Sequence, residues 1–202
     1  MAWDTDKTKQ LLLDAAVQEF ADHGYQGARV DRIAKTASVN KERIYQYFGN
    51  KEQLFATVLD TELGKLAAAV PLTPDAAADL PEHVGRIYDY HEANPRFVRL
   101  LHWEALECGD ETVPAEAERT AHYLQKISSI AEAQRRGGIG DDVRPEVLMY
   151  AVMALANFWT ALPQIVRMLM TGVADDSPEA RREALVGLVR KIVAPQPPGD
   201  SH

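Results

Sequence analysis

The chain has 202 residues, of which 46% are hydrophobic and 26% charged, and its formal net charge is −8. This composition excludes a disordered or fibrous protein, and the length allows one large domain or a small domain joined to a larger one. The N-terminal stretch MAWDTDKTKQ lacks the apolar run of a secretory signal or membrane anchor, and a single cysteine, Cys108, excludes an internal disulfide. We therefore expect a cytoplasmic protein.

Two amphipathic segments follow one another at the start of the chain. Apolar residues at helical spacing predict a helix over residues 5–23, which stops at Gly24. The same spacing predicts a second, shorter helix over residues 30–37. Residues 38–40 (SVN) interrupt the pattern, so we expect a three-residue turn there.

The segment after this turn, KERIYQYF at residues 41–48, is unusual for a short helix. Ile44 and Phe48 lie four apart and share one apolar face, whereas cations, an amide and two phenols occupy the other sides. Gly49 closes this helix. Asn50 is then placed to cap a fourth helix, whose inner stripe begins at Leu54.

Two short helices joined by such a turn predict a helix-turn-helix at about residues 29–48. In this motif the second helix enters the major groove of DNA, where its first residues meet base edges. Contacts to the DNA backbone fix the register without reading sequence. The predicted base-reading residues are Lys41, Glu42, Arg43 and Gln46, and the predicted backbone contacts are Asn40, Tyr45, Tyr47 and Lys51.

There is also a purely structural interpretation of this helix, without DNA binding. A charged, aromatic helix face is commonly solvated surface, Glu42 could simply face water, and Tyr45 could be half-buried core. The charge distribution favours DNA. Residues 29–51 contain six cations and two anions, whereas residues 53–202 contain 14 Lys and Arg against 22 Asp and Glu. One positive segment on an acidic chain is the electrostatic pattern of a protein that contacts phosphates in one place only.

The stretch GARVDRIAKTASVNKERIYQYFGNKEQLFATVL resembles the N-terminal domain of the TetR family of transcriptional regulators. The similarity extends from Leu12 to Phe55 across four consecutive predicted helices. It implies the same base-reading and backbone-contacting positions. It also implies that Arg29 replaces a phosphate-binding hydroxyl of the family. Where members usually carry glycine in the turn, this chain has Ser38, which should cost stability if the position needs a positive φ.

The rest of the chain is predicted to be helical as well. Three prolines within residues 71–81 indicate a connector between a DNA-binding domain at 5–60 and a helical effector-binding and dimerisation domain at 61–194. The tail at 195–202 is expected to be disordered. The fold class is therefore all-α, a three-helix helix-turn-helix domain followed by a helical body. The body helices are predicted near 81–93, 95–107, 114–136, 145–172 and 177–193.

Residues 147–166 form an uncharged stretch of twenty residues that is long enough to cross a membrane. Its polar residues, together with Pro163, disfavour a membrane span, and Pro163 is expected to bend or break the helix. A helix that is apolar nearly all round must be buried on every side. We therefore expect a homodimer through residues 145–193, and the family resemblance implies the same interface.

Enzymatic function finds little support in this sequence. The six histidines form no metal-binding pair on a helix, and there is no phosphate-binding glycine loop or nucleophile elbow. No cofactor or metal is therefore expected, and Cys108 is interpreted as a small buried hydrophobe. An all-helical enzyme with a coincidental N-terminal motif remains a remote alternative.

Aromatic and methionine residues with a few polar side chains among them suggest a largely apolar ligand pocket. For each of these residues taken by itself, the alternative is that it packs in the hydrophobic core. The pocket is expected between the helix carrying Trp103 and the helix carrying Trp159, and it would bind a small apolar or amphipathic effector. Its predicted members are Tyr88, His91, His102, Trp103, Tyr123, Met153, Asn157, Phe158, Trp159 and Gln164.

The predicted function is a dimeric repressor that binds a palindromic DNA operator and is released by this effector. The alternative is a DNA-binding regulator whose body serves only dimerisation or a protein partner, without a small-molecule ligand.

Overall fold

The computed structural model describes residues 5–195, which fold into helices joined by turns and loops. The predicted tail lies outside this range except for its first residue. The helices are α1 (Thr5–Gly27), α2 (Val30–Ala37), α3 (Lys41–Phe48), α4 (Lys51–Ala69), α5 (Pro74–Ala78), α6 (Leu80–Ala93), α7 (Pro95–Cys108), α8 (Glu116–Arg135), α9 (Pro145–Ala161), α10 (Pro163–Leu169) and α11 (Pro178–Ile192). The predicted all-α fold is confirmed.

The chain divides into two compact units. The first contains the residues up to Lys65 together with Asn94–Glu116, and the second contains Leu66–Ala93 and the residues from Ala117 onward. The sequence placed one boundary near residue 60 and assigned α7 to the body. In the structure α7 belongs to the first unit, because it packs along α1 and contributes the fully buried Leu100 to that unit's core.

The core of the first unit is built from the apolar stripes of α1 to α4. Leu12, Phe20, Ile33, Ile44 and Leu54 are each 0% exposed. The rings of Phe20 and Phe55 meet edge to face with centroids 4.9 Å apart. These residues lie at the spacings that the sequence pattern predicted, so this core follows directly from helical periodicity.

The end of α1 is fixed by a glycine kink. Gly24 has φ 66°, and the helix resumes for one turn beyond the position where the sequence predicted its end. A side chain at this position would clash, because a Cβ on Gly24 would lie 2.7 Å from the Trp103 ring. The Ala21 carbonyl accepts hydrogen bonds from Arg99 Nε at 2.8 Å and from Trp103 Nε1 at 3.2 Å. Two donors on α7 thus hold the kinked turn.

The second unit has a core of its own. Its fully buried apolar residues come from α6, α8, α9 and α11 and include Leu80, Val84, Ile130, Ala156 and Leu185. The connector at residues 71–81 is more ordered than predicted. Thr73 accepts a hydrogen bond from the Ala76 amide, and Pro74 occupies the first turn, so a short helix forms there.

The long apolar segment is broken as predicted. Helix α9 ends at Ala161, and α10 begins at Pro163, with an angle of 88° between them. Proline lacks the amide needed to continue the helix, whereas its fixed φ suits a first helical position. Among the described residues no single helix is long and apolar enough to cross a membrane, and only this bent pair meets the length and composition requirements.

Candidate nucleic-acid interface

The turn between α2 and α3 sets the geometry of the helix-turn-helix. Ser38 adopts the left-handed conformation, with φ 55° and ψ 36°, and its amide donates to the Lys35 carbonyl. The Val39 amide donates to the Ala34 carbonyl, and the Val39 side chain is buried. The position therefore does need a positive φ, which is the condition under which Ser38 was expected to cost stability. This turn sends the chain into α3 with Ile44 facing the core.

The first turn of α3 is capped by Asn40, whose Oδ1 accepts from the Glu42 amide at 3.0 Å. The exposed side chains of α3 are Glu42, Arg43, Tyr45 and Gln46, whereas Lys41 and Tyr47 are half-buried. Tyr45 is 46% exposed, so it does not belong to the core. The burial of Ile44 on the opposite side decides this orientation, because it turns the polar faces of the helix outward.

Two base-reading candidates interact with neighbours in the free protein. Lys41 Nζ lies 2.8 Å from Asp31 Oδ1, and this hydrogen bond raises the pKa of Lys41, which therefore stays charged. Arg43 donates to Gln46 Oε1 at 2.8 Å. Both pairs lie at the surface and reach solvent, and such contacts are weak enough to exchange for contacts with DNA. Asp31 was not among the predicted site residues, although it lies on the first turn of α2.

The candidate backbone contacts sit at the borders of α3. Lys51 lies 4.7 Å from the Tyr25 ring centroid and 3.4 Å from the Gln26 carbonyl oxygen. It begins α4, which Asn50 caps by accepting from the Gln53 amide at 2.8 Å, as the sequence predicted. Tyr47 stacks edge to face on Phe48, with the Lys9 ammonium 5.6 Å from its ring. Cations therefore surround the edge of the helix-turn-helix.

The start of α2 is anchored by a buried carboxylate that the sequence reasoning missed. Glu19, 8% exposed, accepts from the Arg29 amide and from Arg32 Nε, each at 2.8 Å. Burial raises the pKa of Glu19, but the hydrogen bonds from Arg32 and Arg29 outweigh it, and the net direction is downward. The Arg29 side chain stays exposed, as a phosphate contact requires. A charged residue within the apolar stripe of α1 was the available signal.

The residues of the predicted effector pocket divide between the two units. His102 and Trp103 belong to the first unit, and the other eight belong to the second. The Trp103 indole finds its hydrogen-bond partner at the Ala21 carbonyl within its own unit. Half-burial lowers the pKa of His102. The Trp103 N–H therefore needs neither a ligand nor a cavity edge as its partner, because the backbone of α1 supplies the acceptor.

Within the second unit the predicted residues differ in depth. Tyr88 is 1% exposed, and its hydroxyl lacks a hydrogen-bond partner among the described residues. Burial and then Glu92 raise its pKa to about 12, against a smaller opposing effect of Arg181. The buried His91 places Nδ1 3.3 Å from the Ala156 carbonyl oxygen.

The remaining members are nearer the surface. Arg181 lies 5.7 Å from the half-buried ring of Trp159. Asn157 and Tyr123 are half-buried, whereas Met153, Phe158 and Gln164 are exposed. These last three therefore lie on the surface of the unit. Cys108 is half-buried. Within residues 5–195 no group of three His, Cys, Asp or Glu side chains could hold a metal ion.

Comparisons with known proteins agree with this geometry. Residues 12–58 match the family described as bacterial regulatory proteins, tetR family, and residues 79–191 match the tetracyclin repressor-like C-terminal domain. The chain is 42% identical to the HTH-type transcriptional repressor SCO4008 of Streptomyces coelicolor over 95% of this chain and 98% of that protein.

Two further relatives span most of the chain. The HTH-type transcriptional repressor NicS of Pseudomonas putida is 37% identical over 79% of each chain. The crystal structure of the transcriptional regulator SCO4942 from Streptomyces coelicolor superposes with a TM-score of 0.82 at 37% identity, and the match covers 94% of this chain and 99% of that one.

Proposed function

From the premise that this chain belongs to the TetR family of DNA-binding transcriptional regulators, we propose that it is a cytoplasmic, dimeric repressor of a palindromic operator. The observation that carries the proposal is the exposed, cationic start of α3, which the buried Ile44 and the Ser38 turn hold outward. Two relatives that match most of the chain are named as repressors, which supports repression as the sign of regulation.

Lys41 and Arg43 stand at the end of α3 that enters the major groove in helix-turn-helix proteins. Their N–H groups suit the acceptors of guanine, and Gln46 can both donate and accept. Arg29, Tyr45, Tyr47 and Lys51 are proposed to contact phosphates around this helix. Asn40 contributes differently, because its side-chain oxygen already caps α3, which leaves only its amide nitrogen to donate to a phosphate.

The base and phosphate roles separate experimentally. Arg43→Ala should relax preference at one base pair per half-site, by about 1–3 kcal/mol if its contact is bidentate. Lys51→Ala should weaken binding to all DNA sequences alike. It should also reduce the slope of log affinity against log salt concentration, which is about 0.9 for each phosphate neutralised. Fluorescence anisotropy on operator and random duplexes over a salt series measures both effects. Arg135→Ala, at an exposed cation of α8 that lies outside the proposed dimer interface, is the control. Equal losses on operator and random DNA for Arg43→Ala would remove its base-reading role.

Dimerisation is supported by apolar side chains that the second unit leaves exposed. On α9 these are Tyr150, at 75% exposure, and Met153, three residues later. On α11 they are Leu188, at 46%, and Ile192, four residues later. Each pair lies on one face of its helix. Covering both faces with a second copy would give the two-fold interface that a palindromic operator requires.

An aspartate on this exposed face should separate the protomers. Tyr150→Asp and Leu188→Asp should each yield monomers in sedimentation, because a charge would be buried without a partner. Leu124→Asp is the control, since Leu124 is 60% exposed on α8 of the same unit. Leu155 is a poorer probe, because it packs on the core of its own protomer. Stable dimers for both variants would place the interface elsewhere.

Release by a small effector completes the proposal. The second unit buries polar side chains, among them Tyr88 and His91, within an apolar core, which is the composition of an orienting ligand site. An effector that binds better to the DNA-free state must weaken operator affinity by the factor with which DNA weakens effector affinity. Titrations in both directions test this equality. Operator affinity that no ligand alters would favour the alternative, a regulator whose body serves dimerisation or a protein partner.

A further inference from the structure

A group of basic side chains lies on α6 and α8 in the second unit. It comprises His83 and Arg86 from α6 and Lys126 from α8, and we name it the α6–α8 basic cluster. His83 is 2% exposed, and its Nδ1 has no hydrogen-bond partner among the described residues. Lys126 is half-buried, with its ammonium 5.9 Å from the centroid of the Tyr123 ring.

The cluster has no acidic partner within residues 5–195. Neither Lys126 nor Arg86 makes a salt bridge there, although the second unit is rich in carboxylates. Other cations of the unit do find them: Arg136 pairs with Glu132 and Asp75, Arg181 with Asp176, and Arg182 with Glu82 and Asp89. The exposed Arg144, Arg167, Arg190 and Lys191 make no salt bridge within residues 5–195 either, and Arg86 is exposed as well. Lys126 differs from them because it is half-buried and still has no acid among the described residues.

The electrostatic consequences agree with the geometry. Burial lowers the pKa of Lys126, and no nearby carboxylate counteracts it. Burial, then Arg86, then Lys126 lower the pKa of His83 to about 4, which makes His83 a neutral imidazole at physiological pH. Packing brings the two helices together, because Val84 and Ile87 of α6 share one core with Ile130 of α8, and Ile127, next to Lys126, packs against that core.

His83 and Lys126 cost stability as they stand, whereas Arg86 is exposed to solvent. Desolvated charge without a counter-ion is unfavourable, and so is a buried ring nitrogen without a partner. Proteins retain costs of this kind mainly at functional sites, where a ligand supplies the missing interaction. The missing interaction here is negative charge together with a hydrogen-bonding oxygen.

We propose that the α6–α8 basic cluster binds the carboxylate of an organic monoanion that has an apolar or aromatic body. Lys126 would supply the ion pair, and the neutral His83 can donate one N–H to a carboxylate oxygen. The Tyr123 ring beside Lys126, with the buried Ile87 and the partly buried Ile127, offers apolar contacts for the body. These apolar side chains favour an organic anion over a small inorganic one.

This inference names the chemistry of the effector and in that respect rests on the proposed function. Binding itself does not depend on DNA. The α6–α8 basic cluster lies within one unit, so anion binding can be measured on the full-length protein alone.

The experiment compares matched carboxylates and amides by isothermal titration calorimetry. The probes are benzoate, 4-phenylbutyrate and decanoate, each beside its neutral primary amide, with sulfate as the inorganic arm. At least one carboxylate should bind about ten- to a hundredfold more tightly than its amide, because a hydrogen bond to a charged group contributes that much. Sulfate should not compete at equal concentration.

Variants then assign the preference to the cluster. Lys126→Met should abolish the difference between carboxylate and amide, Lys126→Arg should retain part of it, and Lys191→Met should leave it unchanged. Lys126→Met should fold and resist urea at least as well as the wild type, since it removes an unpaired, partly buried charge. His83→Gln should weaken binding of the carboxylate more than binding of its amide, because only the carboxylate uses this donor fully.

Three outcomes would overturn the proposal. They are no binding by any of the three carboxylates, a carboxylate preference that survives Lys126→Met, and equal competition by sulfate. Failure of the wider function is distinguishable. A carboxylate that binds through Lys126 but leaves operator affinity unchanged would refute control by this effector and leave the anion site standing.

Discussion

The two units of this protein differ in how far their charged and apolar side chains find partners within the unit. In the first unit, neighbouring groups pair two important cations, Lys41 with Asp31 and Arg32 with Glu19. Of the large hydrophobic side chains exposed within residues 5–195, three belong to the first unit and ten to the second. The second unit also keeps the α6–α8 basic cluster without acids.

This difference indicates which unit is complete by itself. The first unit exposes few large apolar side chains, and the exposed charges of α3 point away from its core. The second unit combines exposed apolar faces with buried polar groups that lack partners, which is the composition of a protein part shaped by what it binds. The comparison predicts that the two units respond separately to mutation and pH.

The largest effect should come from Phe20→Ala in the first unit. Removing a fully buried ring that packs on Phe55 should cost about 3–5 kcal/mol in the free energy of unfolding. DNA binding should be lost, while the proposed dimer, which depends on the second unit, should persist in sedimentation. Leu106→Ala, at a site 75% exposed, should change stability by less than about 0.5 kcal/mol. Loss of the dimer in Phe20→Ala would show that the units are not independent.

The second unit should lose stability in mild acid. Below 6.5, the ordinary pKa of histidine, His83 binds a proton when unfolded, whereas folded His83 has a pKa of about 4. The unfolded state then binds more protons, so stability falls as pH decreases through this window, by about 3 kcal/mol in total. Urea unfolding between pH 7 and 4 should show this slope. His83→Gln should flatten it, and the exposed His122→Gln should not.

Glu19→Gln should destabilise the first unit by about 1.5–3 kcal/mol, because its carboxylate accepts from Arg29 and Arg32. The lowered pKa of Glu19 adds a pH signature. Its contribution is present above the ordinary value of 4.5 and is lost as pH falls through the lower folded value. Asp22→Asn, at an exposed position on α1, is the control in urea unfolding. A variant as stable as the wild type at pH 7 would contradict the anchoring role of Glu19.

The smallest effect should come from Ser38→Gly, and it should be favourable. Ser38 adopts φ 55°, which costs a residue with a Cβ about 1 kcal/mol and glycine almost nothing. The urea midpoint of the first unit should therefore rise, with operator affinity unchanged. Ser38→Ala keeps the Cβ and should bring no gain. A Ser38→Gly variant less stable than the wild type would mean that the serine hydroxyl compensates for its backbone conformation.

Local patterns in the sequence determined the helices of this protein and the side chains that α3 exposes. Helical periodicity placed Leu12, Phe20 and Ile44 in the core, and proline chemistry broke the long apolar helix before Pro163. The turn at Ser38 and the helix cap at Asn50 could also be predicted from the sequence, because their effects reach only a few residues along the chain. Orientation of α3 followed from Ile44 alone, since one buried residue fixes which faces point outward.

Only the tertiary structure decided which distant residues meet. In the tertiary structure α7 packs in the first unit, and the Trp103 indole donates to the Ala21 carbonyl. Glu19 is buried against Arg32. The tertiary structure also brought His83 and Lys126 together without an acid. Each of these contacts joins side chains whose separate patterns look ordinary, a tryptophan on one helix or a lysine on another. Periodicity assigns a residue to a face, but the neighbour across that face depends on how whole helices pack, and this packing decides whether a buried charge finds a partner.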